Sequence, residues 1–140
     1  FILIFQQGFV EKYLKDSVND AKAHGYAKTI MGRRREIPEL RSQNYNMRSF
    51  GERVAMNAPI QGSAADIIKL AMLKVYEALK EKPYLGALIL QVHDELIIEA
   101  PKEHAEECRA LLKEIMENVI TLSVPLTVET NVGRTWFSLK

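Results

Sequence analysis

Apolar residues recur every three or four positions along three stretches of the chain, and this spacing predicts three amphipathic helices. The first stretch covers residues 9–24 and stops at Gly25, a residue typical of helix C-termini. The second covers residues 44–82 and the third residues 102–120. Pro59 interrupts the second stretch and removes one backbone donor, so the long helix is expected to kink or to split in two.

Between the helices the apolar pattern changes to the alternation of β-strands. Residues 26–31 read as a short strand that leads into a turn or hairpin at residues 32–35. Residues 87–92 and 96–100 are both apolar stretches typical of strands and lie only three residues apart, which predicts an antiparallel hairpin. Residues 124–132 alternate as a final strand.

This order of elements predicts an α+β fold, in which helices cover one face of a small antiparallel sheet. No linker, repeat or low-complexity segment interrupts the chain, so residues 1–140 are expected to form a single unit. Within the long helix, Ser63 and Asp66 stand at the spacing of a capping box. They are therefore expected to cap a helix that restarts after Pro59.

The composition fits one globular domain, since 47% of the 140 residues are hydrophobic and 26% are charged. The apolar residues 1–5 are too few to span a membrane, and they lack the flanks of a signal peptide. The chain begins without methionine in the middle of a pattern, which suggests a piece of a longer protein. Its charge is uneven: residues 1–60 carry ten Lys and Arg against six Asp and Glu, whereas residues 61–140 carry nine against twelve.

The hairpin tip His93-Asp94-Glu95 is the first candidate for chemistry, because it sets two adjacent carboxylates between apolar strands. The tip lacks the Asn-Gly or Asp-Gly residues that tight hairpins prefer. A hard cation such as Mg²⁺ would relieve the repulsion between the two carboxylates. Strand alternation would send Asp94 and Glu95 in opposite directions, so that one ligates and the other assists. A plain exposed turn is the alternative.

The second candidate is a polar stripe of Arg53, Asn57 and Gln61, which are spaced by four residues and project from one face of a continuous helix. These side chains match the acceptors that every base pair shows in the minor groove. They would test for paired duplex without reading its sequence. An ordinary solvated helix face is the alternative.

The third candidate is the basic run Arg33-Arg34-Arg35, which offers bidentate contacts to phosphates without sequence specificity. The same three arginines could instead pair with Glu36, Glu39 and other acids in a structural cluster.

Taken together in this order, these signals resemble one known family. The chain is similar to the C-terminal part of family A DNA polymerases over most of its length, from about Val10 to Trp136. The residues that carry the resemblance are Gly25-Tyr26, Thr29, Gly32 to Arg35, Arg48 to Phe50, Glu52-Arg53, Asn57 to Lys69, and Gln91 to Leu96.

The resemblance implies a fragment of the polymerase right-hand fold. Residues 1–58 would form the base of the fingers, including the basic hairpin, and residues 59–140 would form the palm. It implies that Asp94 is a metal ligand, that Glu95 is an auxiliary carboxylate, and that His93 lies near the primer end. Four further side chains are implied to contact or approach the primer–template: Arg53, Asn57, Gln61 and Gln91.

The implied activity is template-directed transfer of nucleotides from dNTPs to a primer 3′-hydroxyl, with two Mg²⁺ ions per active site. One carboxylate ligand of these ions would lie outside this chain, and we expect the 140-residue piece to be inactive alone. The implied partners are primer–template DNA, dNTP and the rest of the polymerase chain, with no membrane partner. The implied location is the cytoplasm, in association with the nucleoid. Two rivals remain: a nucleic-acid-binding module without catalysis, and a small metal-dependent phosphohydrolase centred on Asp94 and Glu95.

Overall fold

The computed structural model describes residues 2–139, with side chains described for residues 10–138. The chain divides into two compact units, residues 1–66 and residues 67–140, and the boundary falls within a long helix. The assignment of residues 1–58 to the fingers and 59–140 to the palm stays a prediction.

The first unit contains a long helix, a short hairpin and the beginning of a second long helix. Its elements are α1 (Ile2–His24), β1 (Tyr26–Lys28), β2 (Arg34–Glu36), a 3₁₀ turn (Pro38–Arg41) and the first part of α2 (Tyr45–Glu81). Gly25 ends α1 as predicted: it takes a φ of +86°, which favours glycine, and its N–H donates to the Ala21 carbonyl. The core of this unit is formed by small and branched residues, namely Ala21, Ala27, Ile37, Leu40, Ala55 and Ala58.

The second helix, α2, runs without a break through Pro59, so the predicted split does not occur. Asn44 starts the helix, because its side-chain oxygen accepts the N–H of Asn46 at 2.8 Å. Proline deprives the helix of one backbone hydrogen bond, and the turns on both sides keep theirs. Ser63 and Asp66 therefore lie inside a continuous helix and form no capping box.

The second unit packs a hairpin against the end of α2 and a third helix. Strands β3 (Ala87–Val92) and β4 (Glu95–Glu99) pair antiparallel, with one register shift at Ile89. A 3₁₀ turn precedes α3 (Ala105–Glu117), whose inward stripe confirms the third predicted helix. The most deeply buried residues of this core are Val75, Leu79, Leu85 and Cys108.

Residues 124–132 form no strand, and this overturns the prediction of a final strand. The segment nevertheless alternates in burial as its sequence does, because Leu126, Val128 and Thr130 are half-buried and the residues between them are exposed. A strand requires a neighbouring strand to complete its ladder of hydrogen bonds. No strand among residues 2–139 pairs with this segment, and the Val128 N–H donates instead to the Glu117 carboxylate at 3.0 Å.

The described chain thus has two separate two-stranded antiparallel sheets and three helices, which confirms the α+β class. The expectation of a single sheet is replaced by one hairpin in each unit. Among the helices of residues 2–139, none combines the length and the hydropathy that a membrane crossing requires.

Candidate active site and nucleic-acid interface

The turn between β3 and β4 has two residues, His93 and Asp94, rather than the three predicted. Val92 pairs with Glu95, so Glu95 is the first residue of β4. His93 takes a φ of +52°, a left-handed conformation that is uncommon for residues other than glycine. The side-chain amide of Gln91 donates to the His93 carbonyl at 2.6 Å and ties the turn to its own strand. Strained backbone of this kind concentrates at functional sites.

The hairpin that bears this turn stands on an apolar base. Leu88, Leu96 and Ile98 pack against the core of the second unit, next to the buried Cys108. Burial in this apolar setting, together with the neighbouring Glu107, raises the pKa of the Cys108 thiol. The base holds the turn by packing, which leaves the polar residues at the tip free for other contacts.

Asp94 and Glu95 are both exposed and line the same groove, which has a volume of about 270 Å³. The expectation that they point in opposite directions rested on strand alternation, which does not apply to Asp94 because it lies in the turn. Neither carboxylate has a hydrogen bond or an ion pair within the described residues. Oxygen donors free of other partners fit a hard divalent cation.

Two carboxylates supply only part of the ligand shell of such a cation. Residues 2–139 contain no group of three or more His, Cys, Asp or Glu that could hold a metal ion by itself. The side chains of Asp94 and Glu95 fit a metal site that further ligands complete.

The polar stripe of Arg53, Asn57 and Gln61 lies exposed on α2, as predicted. The unbroken course of the helix keeps the three residues on one face despite the proline between Asn57 and Gln61. The Arg53 guanidinium donates to the Ser49 hydroxyl at 3.2 Å and lies 6.0 Å from the centre of the Phe50 ring. The amides of Asn57 and Gln61 have no protein partner among the described residues.

The three arginines of the basic run have three different surroundings. Arg33 forms an ion pair with Asp66, its Nε lying 2.8 Å from a carboxylate oxygen. The Arg34 guanidinium lies 4.6 Å from the centre of the Tyr26 ring, a cation–π distance. Arg35 has neither a hydrogen bond nor an ion pair of its side chain in the described part of the chain. Glu36 and Glu39, the acids considered from sequence, pair with none of the three.

The basic run and one end of the polar stripe meet around a small cavity of about 80 Å³. Its lining includes the three arginines of the run together with Thr29, Gln61 and Gly62. The sequence indicated both sets of residues without indicating that they adjoin. It also missed Asp66 as the partner of Arg33, because the two residues are 33 positions apart and the spacing of Asp66 suggested a helix cap.

Comparison with known proteins agrees with the geometry of both units. A sequence model of DNA polymerase family A matches residues 4–138. The chain is 56% identical over 131 residues to DNA polymerase I of Bacillus subtilis, and 51% identical over the same length to that of Geobacillus stearothermophilus. In each case the match covers 94% of this chain and 15% of the relative.

A solved structure shows the same fold. It is the POL domain of Pol1 from M. smegmatis in complex with DNA primer-template and dNTP, and it superimposes with a TM-score of 0.90 at 47% identity. The match covers 94% of this chain and 23% of that one. The chain belongs to DNA polymerase family A. It spans about 15% of the length of the curated relatives it matches, and membership implies divalent-metal chemistry in general terms.

Proposed function

We propose that the full-length protein is a DNA-directed DNA polymerase and that this chain supplies part of its palm and of its DNA-binding surface. The observation that carries the proposal is the hairpin tip, where Asp94 in the turn and Glu95 at the start of β4 have no hydrogen bond or ion pair among residues 2–139. The chain that carries this tip matches the family from residue 4 to residue 138. The M. smegmatis relative, solved with primer-template and dNTP, supports the same substrates here.

In this proposal Asp94 is a direct metal ligand and Glu95 an auxiliary carboxylate. When bound, two magnesium ions supply the charge that activates the primer 3′-hydroxyl and stabilises the pyrophosphate leaving group. A second metal-binding carboxylate comes from a part of the protein outside this chain. His93 lies beside Asp94 in the turn and faces the primer end, and the Gln91 amide holds the turn in shape through the His93 carbonyl.

The DNA-binding residues act on two features of the duplex. Asn57, Gln61 and Arg53 donate to the minor-groove acceptors of the base pairs near the primer terminus, which correct pairs of any sequence present in nearly the same place. Arg34 and Arg35 attract phosphates, since neither forms an ion pair within residues 2–139. We place this activity in the cytoplasm, at the nucleoid, in keeping with the bacterial DNA polymerase I relatives.

Primer extension by the full-length protein, compared with the isolated 140-residue chain, tests the proposal. With Mg²⁺, primer–template and all four dNTPs, the full-length protein is expected to extend the primer according to the template. The isolated chain is expected to give no extension, because it lacks the second metal-binding carboxylate. Product length on a sequencing gel is the measurement. Template-independent products or the absence of extension by the full-length protein would reject the polymerase assignment, and efficient extension by the isolated chain would show that the essential groups have been misplaced.

Replacing Gln61 with alanine in the full-length protein is expected to lower kcat/KM for extension of a matched primer terminus about tenfold, the equivalent of one lost hydrogen bond. A mismatched terminus, which already misplaces the minor-groove acceptors, should be extended nearly as before. Asn57→Ala should behave alike. Asn19→Ala, which removes an exposed amide from α1, is the matched control and should leave both rates unchanged. Equal losses on matched and mismatched termini would argue against minor-groove contacts.

A further inference from the structure

Five residues fasten the β1–β2 hairpin to α2, and we call them the latch: Thr29, Arg33, Gly62, Ser63 and Asp66. The Asp66 carboxylate accepts the Thr29 hydroxyl at 2.6 Å and the Arg33 Nε at 2.8 Å. Arg33 Nη2 donates to the Gly62 carbonyl at 3.0 Å. The Ser63 hydroxyl accepts the backbone N–H of Ile30 at 2.9 Å, so both side chains and main chain connect the hairpin to the helix.

The latch brings the hairpin unusually close to the helix. A Cβ atom on Gly62 would lie 2.7 Å from Cγ2 of Thr29, a separation that real Cβ atoms essentially never show. Glycine at position 62 is therefore needed for the approach that lets Arg33 reach the helix backbone. The Asp66 side chain is only 10% exposed, and the hairpin supplies two donors to its carboxylate, the Thr29 hydroxyl and the Arg33 Nε.

The latch lies on the face of α2 opposite Arg53 and Asn57, and it borders Gln61 at the end of the polar stripe. Pro59, Gly62, Ser63 and Asp66 follow one another at helical spacings of three, one and three residues, and they share a face. Pro59 follows Asn57 by two residues, a rotation of about 200°, so these two residues point in opposite directions. Gln61 directly precedes Gly62 and lines the cavity that it shares with Arg33, so it lies at the edge of the latch. Asn57 can thus contact a ligand on one side of the helix, while the hairpin holds the turn that carries Gln61.

The latch lies directly after the weak point of the helix. Pro59 cannot donate to the carbonyl of Ala55, so the turn from Ala55 to Pro59 lacks its backbone hydrogen bond. The Ser63 hydroxyl donates to the Pro59 carbonyl while accepting from Ile30, and the contacts of Arg33 and Thr29 continue this support through the next turn. Ala27 of the same hairpin belongs to the core cluster of Ala55 and Ala58, so the hairpin supports α2 on both sides of Pro59.

We propose that Arg33 and Asp66 are positioning residues: the latch holds Gln61 in line with Asn57 and Arg53 across Pro59, and Arg33 does not contact DNA. The proposal rests on the proposed function of the polar stripe. It assigns Arg33 a role different from that of Arg34 and Arg35, although the three are consecutive in sequence. Its physical basis is that Arg33 both pairs with the nearly buried Asp66 and donates to the helix backbone at Gly62, so one side chain joins the hairpin to two successive turns of α2.

The test compares Arg33→Gln, Asp66→Asn and the double variant in the full-length protein. Each single variant is expected to lower kcat/KM for a matched primer terminus about tenfold and to leave a mismatched terminus nearly unchanged, as Gln61→Ala does. The double variant should be no worse than the poorer single variant, because both remove the same unit. Thr29→Val, which deletes one hydrogen bond and keeps the side-chain shape, should give a smaller loss of the same kind. Lys22→Gln is the control, since Lys22 makes another ion pair to α2, with Glu52.

The salt dependence of primer–template affinity separates the latch from a phosphate contact. The latch predicts that the slope of log Kd against log salt concentration is unchanged in all three variants. A slope that decreases by about one in Arg33→Gln, with tighter binding in Asp66→Asn as Arg33 is released, would show that Arg33 contacts phosphate and overturn the proposal. Equal losses of kcat/KM on matched and mismatched termini would show that the latch has only a general structural role, and this result would also overturn the proposal.

The control variant Gln61→Ala distinguishes failure of the inference from failure of the proposed function. If Gln61→Ala lowers discrimination and the latch variants do not, the latch proposal is wrong and the stripe stands. If Gln61→Ala also leaves discrimination unchanged, the proposed function of the stripe fails, and the positioning role fails with it.

Discussion

Replacing Asp94 with asparagine in the full-length protein is expected to abolish most primer extension, by a factor on the order of 10³, while primer–template affinity changes less than about threefold. Asparagine preserves the size of the side chain and removes its charge, and it is a poor substitute for a carboxylate toward a hard divalent cation. The affinity survives because the phosphate and minor-groove contacts lie on other residues. Single-turnover extension and a binding titration at fixed salt give the two quantities.

Two comparisons make the Asp94 result decisive. Asp16→Asn removes an exposed carboxylate from α1 that has no ion pair among the described residues, and it should leave extension unchanged. Glu95→Gln should lose less activity than Asp94→Asn, because Glu95 is assigned the auxiliary role. If Asp94→Asn extends primers at the normal rate and binds DNA normally, Asp94 has no catalytic role. That result would favour the alternative function, a nucleic-acid-binding module without catalysis.

The elements that the sequence predicts well are those determined by nearby residues. The helical periodicity before Gly25 and between residues 105 and 117 needs only a local apolar face and a local stop. The β3–β4 hairpin follows from two β-rich stretches with a very short connection. The same locality explains why Asp94 and Glu95 stood out, since two adjacent carboxylates between two apolar stretches are unusual wherever those stretches lie.

The features that the sequence mispredicts depend on distant partners. Residues 124–132 alternate correctly and form no strand, because alternation specifies a face and a ladder requires a second strand. Pro59 predicts a kink or a split of α2, and the apolar pattern of the helix does not indicate that Arg33, from a distant part of the chain, donates to the helix backbone at Gly62. The pairing of Arg33 with Asp66 joins residues 33 positions apart, and a basic run read by itself gives its members identical roles.

Gly86→Ala is expected to have the largest effect on stability. Gly86 joins the buried Leu85 to β3 with φ of +132° and ψ of −166°, a region that essentially only glycine occupies. A Cβ atom there would overlap the carbonyl oxygen of Glu99 and lie 2.9 Å from the Cα of Ala100, so backbone on the partner strand would have to move. Strain and displacement together should lower the local free energy of opening of the hairpin by about 3 kcal/mol or more.

Gly32→Ala is the matched control for this prediction. Gly32 also has a positive φ, of +84°, but nothing lies within 4 Å of the Cβ that alanine would add. Only the backbone penalty applies there, about 1 kcal/mol. Hydrogen exchange in the full-length protein measures both effects locally. Gly86→Ala should lower the protection of residues 87–99 about 10²-fold, whereas Gly32→Ala should lower that of residues 26–36 about fivefold. Similar losses in the two hairpins would mean that backbone conformation alone sets the penalty. The contact between Gly86 and the Glu99–Ala100 backbone would then contribute nothing to holding the hairpin that carries Asp94.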